Sequence, residues 1–280
     1  MNLQKHFSPK RFYKCLKYDL VLNGKIYLFS IIGLMVVLMI INLINLNSFN
    51  NFYSNNFNRN NFNIDFENYF FRSYYAPLFI FFIIFGTILS AGTSFPALRS
   101  SNNSINYLLL PASTLEKFLV QFFIRILAFV LLFIPIYWLI FKFSYNFYGL
   151  FGTVLESVKS YSLLSPFQGE IEGIDFYLII VSVIISSLFA FVGATYFKKY
   201  ALFKSIFTFA LTAVFLFLLM VLLSHLFFDH TTKEFFEIKL RSYSVYENIK
   251  NLQLYFAVLF TATSLILFML AYFKLKEREI

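Results

Sequence analysis

Six stretches of this chain are each long and apolar enough to cross a bilayer, and placing them settles most of what the chain can fold into. A spanning helix needs about 20 mostly apolar residues. Residues 26–46, 76–95, 118–141, 176–197, 201–228 and 252–273 qualify. Barrel strands would be about 10 residues long with strict alternation. These windows are unbroken instead, so the expected fold is an all-α membrane protein of six transmembrane helices in one domain, 1–280. The fourth and fifth windows lie so close that they form a tight helical hairpin. Composition agrees: 59% of residues are hydrophobic and only 13% charged, against about 25% charged in a soluble globule. The single cysteine, Cys15, cannot form an internal disulfide. The first window is too long for a cleaved signal peptide and lacks an A-x-A site, so it reads as a retained span.

Lysine and arginine sort by side. Lys5, Lys10, Arg11, Lys14, Lys17 and Lys25 precede the first window. Arg99, Lys117 and Arg125 cluster around the second-to-third connection, Lys198, Lys199 and Lys204 around the fourth-to-fifth, and Lys274, Lys276 and Arg278 follow the last. In the other connections acids outnumber bases. The positive-inside rule therefore puts both termini in the cytoplasm. The net charge of +9 then reflects a leaflet of anionic lipid rather than nucleic acid.

Before the first span, residues 9–24 are amphipathic. Phe12, Leu16 and Leu20 recur at i+4, while Lys10, Arg11, Lys14 and Lys17 occupy other faces. That phasing predicts an interfacial helix in the cytoplasmic headgroup region; the simpler alternative is a basic flank that only sets orientation. Residues 47–68 are rich in asparagine and read as a solvated outer loop. Glu156, Glu170, Glu172 and Asp175 lack the alternating spacing and turn glycine of a calcium loop, so they read as a solvated face. Gly86, Ser90 and Ser94 on the second helix, and Ser182, Ser186, Ala190 and Ala194 on the fourth, form small-residue stripes at i+4. Such stripes let helix backbones approach closely, within the chain or across a dimer.

Chemistry-bearing motifs are scarce. His6, His225 and His230 show no zinc-protease spacing, and no metal ligand set emerges. No Walker-A loop is present, so ATP is not bound by this chain in that manner. There is no serine-hydrolase elbow, and no catalytic residue is assigned. His225 and Asp229 form an interfacial or capping pair more readily than a proton relay. Arg125 and Lys204 lie near the cytoplasmic edge, from which long side chains snorkel outward. Pro135 predicts a kink in the third helix.

The phrase "LLLPASTLEKFL" (108–119) interrupts this apolar pattern. Ser113 as N-cap with Glu116 three residues on is a capping box, and Glu116 complements the positive helix end. The helix begun here is expected to run into the third span. Just before it, 104–110 is expected to form a short helix in which Ile105, Leu108 and Leu109 offer a sticky surface. That surface either dips into lipid or docks on a protein.

Three features in this order resemble an ABC-2 type permease, the membrane subunit of ABC exporters. They are the basic elbow "FSPKRFYKCLKYDLVLNGKIY", six spans with cytoplasmic termini, and "INYLLLPASTLEKFL" between the second and third spans. The resemblance implies two permease chains, identical or similar, paired with cytosolic ABC ATPase subunits that hold ATP and Mg²⁺. It implies export by alternating access and placement in a bacterial inner membrane. A coupling element contacting the ATPase would fall on Arg99, Ile105, Leu108, Leu109, Pro111, Ser113, Glu116 and Lys117. The alternative is a non-transporting membrane scaffold or assembly subunit.

Overall fold

The computed structural model describes residues 7–57, 74–99, 107, 110–150, 173–197, 200–227 and 251–279. Among them the elements are helical, without strands. They are α1 (Pro9–Phe57), α2 (Ala76–Gly92), α3 (Thr114–Phe122), α4 (Ala128–Gly149), α5 (Gly173–Tyr196), α6 (Ala201–Phe227) and α7 (Asn251–Glu279). A 3-10 turn covers Pro96–Arg99, and a π-turn, Phe123–Leu127, joins α3 to α4. Five helical segments are long and apolar enough to cross a membrane: Pro9–Ser48, Thr114–Gly149, Phe176–Tyr196, Ala201–Leu219 and Gln253–Arg278. This is the architecture of an integral membrane protein.

Two differences from expectation have physical causes. The second window yields a helix of only 17 residues, about 26 Å at 1.5 Å per residue, just under the ~30 Å hydrocarbon core. It closes at Gly92, where the Thr93 N–H donates to the Leu89 carbonyl at 3.2 Å. Phe95 then takes a left-handed φ of 54°, and Pro96 cannot extend a helix through its missing N–H. Secondly, no break separates the amphipathic stretch from the first span. Gly24 and Lys25 continue the helix, so α1 runs for 49 residues, about 74 Å.

The chain divides by contacts into two units, Met1–Gly86 with Pro111–Ile171, and Thr87–Leu110 with Glu172–Ile280. In the first, α1 packs against α3 and α4. The two run in the same direction: the Ser8 amide lies at Glu116 near their starts, and the Tyr148 hydroxyl donates to Asn47 Oδ1 at 3.2 Å near their ends. Leu38, Asn42 and Leu46 form the buried i+4 stripe of α1 at this level. Just before α2, the Tyr75 carbonyl accepts from the Tyr137 hydroxyl at 2.9 Å, and the Tyr75 ring packs edge-on to Phe141 at 4.7 Å. The start of α2 thus meets the far half of α4. Gly86 sits where an added Cβ would come within 2.4 Å of the Phe129 ring.

In the second unit α5 is the central element, flanked by α6 and α7. Ser186, Ala190 and Ala194 are buried and Ser182 half-buried, while Phe191 packs on Phe95 at 5.2 Å. The Arg278 guanidinium donates to the Tyr196 carbonyl at 2.7 Å. That contact satisfies an orphan C-terminal carbonyl and shows that α5 and α7 end on the same side. The tightest contact is Gly193 against Ser205, where a Cβ would lie 1.8 Å from Oγ and 2.6 Å from Cβ of the serine.

Gly193→Val should therefore lower the stability of the detergent-solubilised chain by about 1–3 kcal/mol or more through overpacking. Gly33→Ala, with nothing within 4 Å of the added Cβ, should be neutral or stabilising by up to about 1 kcal/mol. Thermal unfolding followed by circular dichroism compares them; equal midpoints would refute the close contact at Gly193.

Candidate functional site

The described charges that are most deeply buried gather where α1 meets α3. Two local rules place them. At the start of α1, the Phe12 N–H donates to the Ser8 carbonyl at 2.9 Å, so Ser8 precedes the first turn and Pro9 fills the first helical position, where its missing N–H is harmless. At the start of α3, the capping box is complete. The Glu116 N–H donates to Ser113 Oγ at 3.2 Å, and the Ser113 N–H donates to Glu116 Oε2 at 2.8 Å.

Glu116 does more than close its own box. Its Oε1 accepts the Ser8 N–H at 2.6 Å and lies 3.1 Å from Arg11 Nη2. One carboxylate thus sits at the N-termini of two helices, both of which present orphan amides and positive dipole ends. Its side chain is 0% exposed, whereas that of Arg11 is 37% exposed. Phe12 covers the junction by packing edge-on to Phe123 with ring centres 6.0 Å apart.

Further along α1, Asp19 makes a second link. Its Oδ1 accepts from Gln121 Nε2 at 2.7 Å and from Asn23 Nδ2 at 3.1 Å. Its Oδ2 accepts from the Tyr27 hydroxyl at 2.6 Å. The Arg125 guanidinium lies 4.6 Å over the Tyr27 ring, a cation–π arrangement. Arg125 therefore turns into the protein instead of snorkelling outward. The π-turn that carries it inserts one residue into the helical repeat, which turns the following side chains by roughly 100°.

Other expected residues fall as follows. Lys117 is buried beside Glu116, and Pro111 is exposed. Arg99 ends the 3-10 turn. Ile105, Leu108 and Leu109 lie outside the described residues, as do His6, Asp229 and His230. Of the amphipathic stretch, Lys10, Lys14 and Lys17 are exposed and Phe12 and Leu16 half-buried, while Leu20 is exposed. The buried face is a different one, formed by Cys15, Asp19 and Asn23. Among the small-residue positions, Gly86 and Ser94 are buried and Ser90 half-buried.

Sequence reasoning therefore located the capping box but missed its partner helix. The overlooked signal is Asp19, Asn23 and Tyr27 at i+4 spacing on α1, matched by Gln121 and Arg125 at i+4 across the junction. Chemically, both carboxylates are saturated with donors and closed to solvent. Together they form a polar joint that ties the start of α1 to α3. No three described His, Cys, Asp or Glu side chains converge on a possible metal position.

No family model matches the chain, and no curated protein or solved structure matches it either.

Removing the shared carboxylate by Glu116→Ala should destabilise the chain by about 3–5 kcal/mol, since it strands two amides and a cation. Arg11→Ala, at a partly exposed partner, should cost about 1 kcal/mol or less. A double-mutant cycle with Ser113→Ala, read by thermal unfolding, should show coupling between Glu116 and Ser113; additive effects would contradict the shared cap.

Proposed function

We propose that this chain is the membrane permease subunit of an ABC-2-like exporter, moving its substrate by alternating access driven by a separate cytosolic ATPase that binds ATP and Mg²⁺. In this reading the six apolar helices all span, both termini are cytoplasmic, and residues 9–24 lie at the cytoplasmic surface of a bacterial inner membrane. Two permease chains, identical or similar, form the path. The coupling element lies in the connection that ends at Thr114.

The observation that carries the proposal is the joint at Glu116. A permease with no ATP site of its own must pass a displacement from a cytosolic partner into its spans. The capped start of α3 is where a loop becomes a stiff helix, and Glu116 ties that start to α1 through Ser8 and Arg11. A push on the preceding loop would then move two helices together. The basic residues at this end, and the phrase "INYLLLPASTLEKFL", support the same orientation and role.

Because Glu116 and Lys117 are buried, a docking test belongs on the preceding apolar residues. Affinity purification of the full chain from its native membrane in mild detergent should recover a nucleotide-hydrolysing subunit at one-to-one ratio. Leu108→Ser combined with Leu109→Ser should lower that recovery at least about ten-fold without altering the elution volume of the chain. Recovery of a well-folded wild-type chain with no ATPase would favour the scaffold reading.

A further inference from the structure

The turn between α5 and α6 has features the joint at Glu116 does not use. Gly193 brings the α5 backbone against Ser205, and Ala201 and Ser205 are buried on that face. Beside them Lys204 and Thr208, with Phe203 and Phe207, border a shallow, open cleft of about 400 Å³ that Phe197 also lines. The Thr208 hydroxyl is turned back to the Ser205 carbonyl at 2.9 Å, which leaves the cleft apolar apart from one charge. That charge, the Lys204 ammonium, stands 5.6 Å from the centre of the Phe197 ring, and no described carboxylate pairs with it.

The surroundings state what the cleft fits. Its apolar wall continues along α6 through Phe203, Phe207 and Leu211, all exposed. Tyr200 holds a left-handed φ of 54°, unusual for an aromatic residue, and its ring is 74% exposed. Tyrosine rings left open in this way suit the boundary between headgroups and acyl chains. The same end of the unit is basic: Lys276 and Arg278 lie in the last turn of α7, beside the end of α5. Glu277 pairs with Lys274 at this end, so a second copy seated here about a two-fold axis would set two net-basic ends together. A soluble anion would match the charge but not the phenylalanine walls.

We infer that this cleft seats an anionic phospholipid, with its phosphate on Lys204 and the upper part of an acyl chain between Phe203 and Phe207. Each basic group near a charged headgroup strengthens such binding about five-fold. The long lysine stem lies along the apolar wall while its ammonium reaches the phosphate.

Native mass spectrometry of the full chain, titrated with dioleoyl-phosphatidylglycerol or dioleoyl-phosphatidylcholine, tests this. The wild type should retain the anionic phosphatidylglycerol about five-fold more strongly than the zwitterionic phosphatidylcholine. Lys204→Ala should abolish that preference, Lys204→Arg should keep it, and Phe207→Ala should weaken both lipids. Lys142→Ala, in the far half of α4, should change nothing. Inorganic phosphate in excess should not displace the lipid. The inference is overturned by equal retention of the two lipids, by an unchanged preference in Lys204→Ala, by displacement with phosphate alone, or by a dimer that Phe207→Ala dissociates regardless of lipid.

Discussion

The carboxylate of Glu116 is the point on which the first unit turns. A buried carboxylate loses several kcal/mol of hydration, and here that loss is offset by two backbone amides and a guanidinium, all charge-assisted donors. The amides belong to different helices, so the interaction cannot form unless α1 and α3 begin side by side. Further along, α1 is held by α4. Only 11% of its apolar window is buried, through a stripe of Leu38, Asn42 and Leu46 and the contact of Asn47 with Tyr148. In lipid, apolar contact does little to hold one helix to another, and polar links and close packing take over. The Glu116 and Asp19 links therefore fix where α1 stands against its neighbours.

That same physics explains what the sequence could and could not reveal. The apolar windows foretold the helices because length and hydropathy are local properties. Ser113 and Glu116 foretold the cap because a capping box is complete within four residues. In residues 9–24 the phasing of Phe12, Leu16 and Leu20 marks the apolar face of an interfacial helix but says nothing of the face that packs on protein. Near a bilayer those residues can face lipid, and the polar stripe Cys15, Asp19, Asn23 is the one that needs protein partners. The partner of Asp19 is Gln121, 102 positions away, and no local pattern announces it. Nor does "FFIRILAF" announce a π-turn. The short second helix was a matter of its ending: Gly92 was visible, but the left-handed Phe95 was not.

The joint also bears on the contest between exporter and scaffold. A static scaffold and a moving permease both gain from stable helix contacts, so burial alone does not separate them. What distinguishes the two is whether the contacts connect an exposed loop to spans. Pro111 is exposed, and five residues later Glu116 is closed to solvent and bound to a second helix. The proposed coupling rests on that gradient.

Under the proposed coupling, the distance over which a push stays rigid is set by the third helix itself. From Thr114 to Phe122 the backbone is regular α-helix, capped at its start. At Phe123–Leu127 the hydrogen bonding widens to a π-turn, and at Pro135 the ladder lacks a donor. Both are recognised sites of helix bending. Arg125 sits inside the first of them and is held against Tyr27 of α1. A displacement entering at Thr114 would thus travel as a rigid segment of about three turns, tied to α1 at both ends, before the helix can flex. The first bend coincides with the Arg125 tie, and α4 meets α1 again where Tyr148 bonds Asn47, so the displacement would be taken up at the π-turn and Pro135, between those two ties.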